Sequence, residues 1–224
     1  GEMSSAVAHS LRNPLANIRS SAELAQEIAN PAAQKNITDI ISQVDRMSRW
    51  VRDLLVSLRP ASDEPEAVDL VAAIEDTHLA FAQQIARNGV QFCYEGPELQ
   101  YVTSQPLQLT QILNSLFSNA IEAMPAGGVL RAQVSVQDGQ RTVMLLSDTG
   151  KGMTQQQERM VFKPFFTTKQ GGLGVGLALV QRIMERFGGS VSLSSREEEG
   201  TRVSLTFNIA AGGDHGTQHP GSRG

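Results

Sequence analysis

Cysteine is almost absent from this sequence, since Cys93 is the only one in 224 residues. An internal disulfide is therefore excluded, which fits a protein working in the reducing cytoplasm. No apolar run approaches the roughly 20 residues that a membrane-spanning helix needs, and no signal peptide is visible. We expect this segment to be cytoplasmic, with any attachment to the inner membrane supplied by an N-terminal sensor part outside it.

A basic tract is also missing, and the formal net charge is −4. The charge pattern therefore gives no reason to expect a nucleic-acid partner. The apolar content is ample for a packed core, because 40% of the residues are hydrophobic and 19% are charged. A chain of this length holds one large or two modest domains.

Two amphipathic helices are predicted at the start of the chain. Apolar residues recur at three- and four-residue steps from Glu2 to about Ala29 and from about Ala33 to Leu58, with Asn30-Pro31 as the break. A lone hairpin of this kind cannot bury both apolar faces, so a second copy would complete a four-helix bundle. We therefore expect a homodimer; the alternative is that the helices pack on the C-terminal domain.

Composition sets the expected domain boundaries. The helical hairpin covers 1–59, a polar linker with prolines at both ends covers 60–65, and a tail rich in Gly, His and Ser covers 211–224, where we expect disorder. Between them, 66–210 alternates helical and strand patterns. The predicted fold is α+β: a helical hairpin followed by an α/β sandwich, a mixed sheet with helices on one face.

Three stretches of the second domain carry a joint chemical signal. They are an apolar helix with one asparagine (Gln111 to Met124), a strand ending in Asp-Thr-Gly-Lys-Gly (Leu145 to Met153), and a Phe-rich stretch that runs into a glycine-rich one (Phe162 to Leu179). Taken singly, each has an ordinary explanation as a buried amide, a turn or a flexible loop. Together, in this order, they predict a nucleotide pocket.

Each stretch offers a different part of such a pocket. Asp148 can accept a hydrogen bond from an exocyclic amine, and Gly150 and Gly152 let the backbone approach a flat base. Asn119 suits one ligand position of a Mg²⁺ ion that keeps waters and phosphate oxygens.

The glycine-rich stretch is expected to bind phosphates. Gly172, Gly174 and Gly176 precede an apolar helix, so backbone N–H groups and the helix dipole favour a polyphosphate there. Lys169 adds a positive charge.

The first helix contains an exposed candidate nucleophile. His9 lies off the apolar stripe, so its imidazole should face solvent with Asn13 as its i+4 neighbour. A neutral imidazole is a competent nucleophile at neutral pH. Taken alone, an ordinary surface histidine is the simpler interpretation.

The nucleotide-pocket stretches resemble the N, G1, F and G2 boxes of sensor histidine kinases, and the run from His9 to Leu15 resembles their H box. The short lid and the sequence from Phe162 to Lys169 are most similar to the nitrogen-regulation-like branch. The resemblance implies that His9 takes the γ-phosphoryl group of ATP and passes it to an aspartate of a response-regulator receiver domain. It further implies Mg²⁺ at Asn119, a contribution from Thr201 near the base, participation of Leu177 in nucleotide binding, and a role for Asn13 in positioning water or phosphoryl.

Two departures from the family pattern keep other functions open. Ser10 stands where an acidic residue usually follows the histidine, and a hydroxyl is a poor base; this favours, as an alternative, a weakened nucleotide-binding scaffold or a phosphatase. Ser115 stands where the ATP hydrolases of the wider superfamily carry a glutamate base, which counts against hydrolysis.

Overall fold

The computed structural model describes residues 15–27, 30, 33–42, 44, 45, 47, 64–164, 166–168 and 174–210. They form two compact units: the N-terminal helices together with the described part of 167–175, and the other described residues from 64 to 210. The predicted linker 60–65 is described only at its end, and the tail 211–224 lies outside the described residues. No helix within the described ranges is long and apolar enough to cross a membrane.

The first unit contains an antiparallel helical hairpin. Helix α1 covers 15–27, and α2 covers 33–42 and continues at 44, 45 and 47. Asn30 caps α2, because its side-chain oxygen accepts from the Ala33 N–H at 2.9 Å. Arg19 binds Asp45 at 2.9 Å and Gln26 donates to Thr38 at 2.8 Å across the two helices, so the paired positions run in opposite directions. The predicted hairpin is thus present in the described part.

The described residues of the second unit form four further helices and seven strands. The helices are α3 (Leu70–Asn88), α4 (Pro106–Ala123), α5 (Gln155–Glu158) and α6 (Gly176–Arg186). The strands are β1 (Glu66–Asp69), β2 (Val90–Glu95), β3 (Tyr101–Ser104), β4 (Gly128–Gln137), β5 (Arg141–Asp148), β6 (Ser190–Arg196) and β7 (Gly200–Asn208).

The strands form one large sheet and one small one. The large sheet has the order β2-β4-β5-β7-β6, in which β2 and β4 are parallel and the other neighbours antiparallel. Strands β1 and β3 pair separately. Strands β4 and β5 form a hairpin, in which Asp138, Gly139 and Gln140 connect the paired residues Gln137 and Arg141. Asp138 and Gly139 both have positive φ (50° and 66°), as turns between twisted strands favour.

The helices cover one face of the large sheet. Core residues alternate along the central strands, at Leu130, Ala132 and Val134 in β4 and at Met144 and Leu146 in β5. Helix α4 lies at the centre of this core, and seven of its residues are buried. The predicted mixed sheet with helices on one face is therefore confirmed, and the site residues lie where this helix layer meets the strand ends.

Candidate functional site

The structure describes eight of the thirteen predicted site residues. Those within the second unit are Asn119, Asp148, Gly150, Gly152, Gly176, Leu177 and Thr201, while Gly174 groups with the first unit. Those outside the described residues are His9, Ser10, Asn13, Lys169 and Gly172.

A row of paired residues crosses four strands at the end of β5. Asp148 is the register partner of Leu130 on one side and of Thr201 on the other, and Thr201 is the partner of Ser195. All four lie on the helix-facing side, since each continues the alternation of core residues in its own strand. Cross-strand neighbours have Cβ atoms roughly 5 Å apart, so a ligand on Asp148 also meets Thr201.

The Asp148 carboxylate is held by backbone N–H groups through one oxygen. Oδ1 accepts from the N–H of Gly150 at 2.9 Å and of Thr201 at 3.3 Å. In the part of the chain that the structure describes, no donor reaches Oδ2. Burial raises the pKa of Asp148 above its usual value, and these two backbone bonds oppose the rise. The group is thus a fixed acceptor with one oxygen available to an amine.

The turn after Asp148 packs against the end of α4. Gly150 is buried, and a Cβ there would lie 2.7 Å from the Cβ and from the carbonyl oxygen of Ala123. The Lys151 N–H donates to that same Ala123 oxygen at 3.2 Å. Gly150 therefore permits an approach of this turn to α4 that no larger residue allows, while its predicted role beside a flat base stays a prediction.

The β6–β7 turn closes the other side of this loop. Gly152 has φ +62°, and a Cβ there would lie 2.6 Å from the Arg196 carbonyl carbon. The Glu198 N–H donates to the Lys151 carbonyl at 2.9 Å. The loop is thereby fixed from two directions.

One face of α4 links the Asp148 loop to the start of α6. Ala123 touches Gly150, and two turns earlier a Cβ on Gly176 would lie 2.7 Å from Ser115 Oγ. Residues four apart in a helix lie on the same face. Asn119 lies midway between Ser115 and Ala123, so its half-buried side chain lies between the loop and α6.

The start of α6 forms the third side of the candidate site, beside the Asp148 loop and α4. This helix has 11 residues and begins at Gly176, followed by the half-buried Leu177. The first turn of any helix carries N–H groups without intrahelical acceptors and the positive end of the dipole. An anion between Asn119 and Gly176 is favoured by both.

The side chains near Asn119 could bind a hard cation only if waters or a bound ligand supply most of its oxygen ligands. Among the described residues, no group of three or more His, Cys, Asp and Glu side chains could hold a metal. A neutral amide oxygen leaves most positions of Mg²⁺ to waters and phosphate oxygens, as this ion prefers in nucleotide sites. The residues therefore fit a Mg²⁺ ion that arrives with a polyphosphate.

Sequence reasoning missed Ser195, which is 8% exposed and lies beside Thr201 on the neighbouring strand. Its hydroxyl donates to the Gly200 carbonyl at 3.0 Å and lies 3.0 Å from Thr201 Oγ1. The one available signal is its parity, because Val191, Leu193 and Ser195 share a face of β6.

Comparison with known proteins decides the family. The model of the His Kinase A (phospho-acceptor) domain matches residues 1–60. The model of the histidine kinase-, DNA gyrase B- and HSP90-like ATPase matches residues 104–211. The chain belongs to the sensor histidine kinases of two-component systems.

Curated relatives among the sensor histidine kinases match nearly the whole chain. Sensor histidine kinase ZraS of Klebsiella oxytoca is 32% identical over 216 residues, which are 95% of this chain and 46% of that protein. Signal transduction histidine-protein kinase AtoS of Escherichia coli K12 is 30% identical over 93% of this chain and 35% of its own length. The chain thus spans less than half the length of these relatives.

Solved histidine kinases share the fold. Full-length ShkA in complex with AMPPNP superposes with a TM-score of 0.75 at 24% identity, over 94% of this chain and 47% of that one. The catalytic domain of ThkA gives a TM-score of 0.60 at 25% identity, over 66% of this chain and 99% of that one. ThkA in complex with the response regulator TrrA gives 0.69 at 24% identity, over 94% and 62%.

Proposed function

We propose that this chain is the autokinase core of a two-component sensor kinase. An imidazole nitrogen of His9 attacks the γ-phosphorus of ATP, the bond from that phosphorus to the bridging oxygen breaks, and ADP leaves. The phosphoryl group then passes from His9 to an aspartate of a receiver domain. Catalysis of this kind rests on positioning and charge neutralisation.

The observation that carries the proposal is the arrangement around Asp148 and Asn119. Oδ2 of Asp148 receives no donor within the described residues, while Oδ1 is fixed by two backbone N–H groups. Asn119 lies on the α4 face between this carboxylate loop and the start of α6. An amine-bearing base at one end and a polyphosphate at the other fit this order of groups.

Each predicted residue then has a role in nucleotide binding. Asp148 accepts from the 6-amino group of adenine, and Gly150 and Gly152 shape the backbone beside the ring. Asn119 holds a Mg²⁺ ion, which neutralises phosphate charge when bound. The residues assigned to the phosphates are Lys169, Gly172, Gly174 and Gly176. Thr201 is assigned near the base, and Leu177 to nucleotide binding at the start of α6.

The histidine site has its own assignment. Asn13, one helical turn after His9, positions the incoming phosphoryl group or a water. Ser10 replaces the usual acidic neighbour, so the His9 proton goes to solvent or to the phosphoryl oxygens rather than to a carboxylate. We expect autophosphorylation to be slow for this reason.

The partners follow from the helical hairpin and from the family. Four large apolar side chains of α1 and α2 stay exposed in a single copy, namely Ile18, Leu24, Ile40 and Met47, with exposures of 48%, 66%, 46% and 45%. A second copy would cover them, which supports a homodimer with a four-helix bundle. The receiver domain is the second partner, and the cytoplasm is the compartment.

Labelled ATP with magnesium tests the proposal. We expect an acid-labile, base-stable label on the protein that disappears in His9→Ala and persists in His215→Ala, which removes a histidine of the tail instead. Asp148→Asn should lose the label together with nucleotide affinity. Absence of label in a protein that binds ATP normally would favour the scaffold or phosphatase over the kinase.

A further inference from the structure

Ser195 is a buried polar side chain placed one strand behind Asp148. It is 8% exposed and lies on the helix-facing side of β6. Its register partner is Thr201, which in turn is the partner of Asp148. Because β7 lies between Ser195 and Asp148, the Ser195 hydroxyl can affect the Asp148 carboxylate only through β7.

The action passes through one peptide unit. Ser195 Oγ donates to the Gly200 carbonyl oxygen at 3.0 Å. The N–H of Thr201, which donates to Asp148 Oδ1 at 3.3 Å, belongs to the same peptide. A peptide unit is planar, so a bond that fixes its carbonyl also fixes the direction of its N–H. Because the bond to Oδ1 is already long, a small tilt of this plane would break it.

The protons of the two hydroxyls are also assigned. A carbonyl oxygen only accepts, so the single proton of Ser195 goes to Gly200. The 3.0 Å contact between the two hydroxyl oxygens then requires Thr201 to be the donor. The Thr201 O–H therefore points toward Ser195 Oγ, and Thr201 Oγ1 offers only lone pairs to a ligand.

We propose that Ser195 is a positioning residue for base recognition, which keeps the Gly200–Thr201 peptide aimed at Asp148 and makes Thr201 an acceptor. The proposal rests on the proposed function, because it takes Asp148 to receive the 6-amino group of adenine. Loss of the Ser195 hydroxyl then weakens only ligands that carry this amine. A purely structural role would weaken all nucleotides alike.

The test compares two nucleotides by calorimetric titration with magnesium, namely ADP and purine riboside 5′-diphosphate, which lacks the 6-amino group. Ser195→Ala should weaken ADP about five-fold, the value of one ordinary hydrogen bond, and weaken the purine nucleotide less than two-fold. Ser195→Thr, which keeps a hydroxyl, should restore ADP binding. Ser194→Ala is the matched control, since Ser194 is the exposed neighbour on the opposite face of β6.

Three outcomes decide between the explanations. A loss confined to ADP supports the positioning role. Equal weakening of both nucleotides in Ser195→Ala, or no weakening of either, overturns this role while the nucleotide site stands. If the unmodified protein binds neither nucleotide, or prefers ADP no more than its Asp148→Asn variant does, base recognition by Asp148 is wrong and the inference is overturned with it.

Discussion

Replacing Gly200 by alanine should damage the nucleotide site through the backbone alone. Gly200 begins β7 with φ +98°, a conformation that L-residues avoid. A Cβ there would lie 2.8 Å from the Asp148 carbonyl carbon and 3.0 Å from Thr149 Cα, and closer still to the Asp148 carbonyl oxygen. These atoms are backbone, so the strands must separate.

The magnitude has two parts. A left-handed conformation costs an L-residue about 1–2 kcal/mol, and overpacking against fixed neighbours costs about 1–3 kcal/mol. Gly200→Ala should therefore lower the free energy of unfolding by about 2–5 kcal/mol in total. Separation of β5 from β7 also takes the Thr201 N–H away from Asp148 Oδ1, so ADP affinity should fall in the fraction that remains folded.

Gly139 provides the matched control. It also has positive φ, +66°, but a Cβ there would meet nothing within 4 Å. Gly139→Ala should therefore show the conformational cost without the overlap and leave ADP binding unchanged. Urea unfolding and ADP titration of both variants measure the difference. The reasoning is refuted if the two variants unfold at the same urea concentration and bind ADP equally well.

Two further predictions concern the carboxylate and the dimer. Burial raises the pKa of Asp148, so ionisation of this carboxyl lowers the stability of the folded state above that pKa and has no effect below the unfolded value of 3.8. Asp148→Asn should therefore unfold at a higher urea concentration than the unmodified protein at neutral pH, and this gain should vanish as the pH falls below 3.8. A gain that is independent of pH would contradict this cause. Leu24 is 66% exposed on α1, so we expect Leu24→Lys to shift sedimentation from dimer toward monomer. The control Glu23→Gln, on the same helix, should leave the dimer unchanged. An unchanged dimer in Leu24→Lys would mean that Leu24 is not part of the bundle interface.

Local patterns in the sequence predicted the elements well, because their causes are local. The ends of α3 lie where Asp69 accepts from the N–H groups of Val71 and Ala72 and where Gly89 takes a left-handed conformation. The hairpin turn at Asp138-Gly139 follows from the same kind of short-range chemistry. Such local signals explain why alternating helical and strand patterns could be predicted over 66–210.

Strand order was beyond the reach of such patterns. Glu66 pairs with Ser104, and Asp148 pairs with Thr201, across separations that no periodicity encodes. The separate β1–β3 sheet was accordingly not predicted.

The site shows the same division between local and long-range signals. Asp148 and Asn119 were predicted because each stands in a distinctive local run. Ser195 was not, because the alternation that places it on one face with Val191 and Leu193 does not show which residues of other strands lie beside it. Only the register with β7 distinguishes it.

The row from Leu130 to Ser195 has a consequence for assembly of the domain. Its four members are contributed by segments up to 71 positions apart, counted as 201 − 130 along the chain. The row is therefore incomplete until β7 has paired with β5, and we expect adenine nucleotide to bind only after that pairing. At a nucleotide concentration 100 times the dissociation constant, this one-sided affinity adds about 2.7 kcal/mol to the completed fold. Cellular ATP would thus act on this domain as a folding ligand as well as a phosphoryl donor.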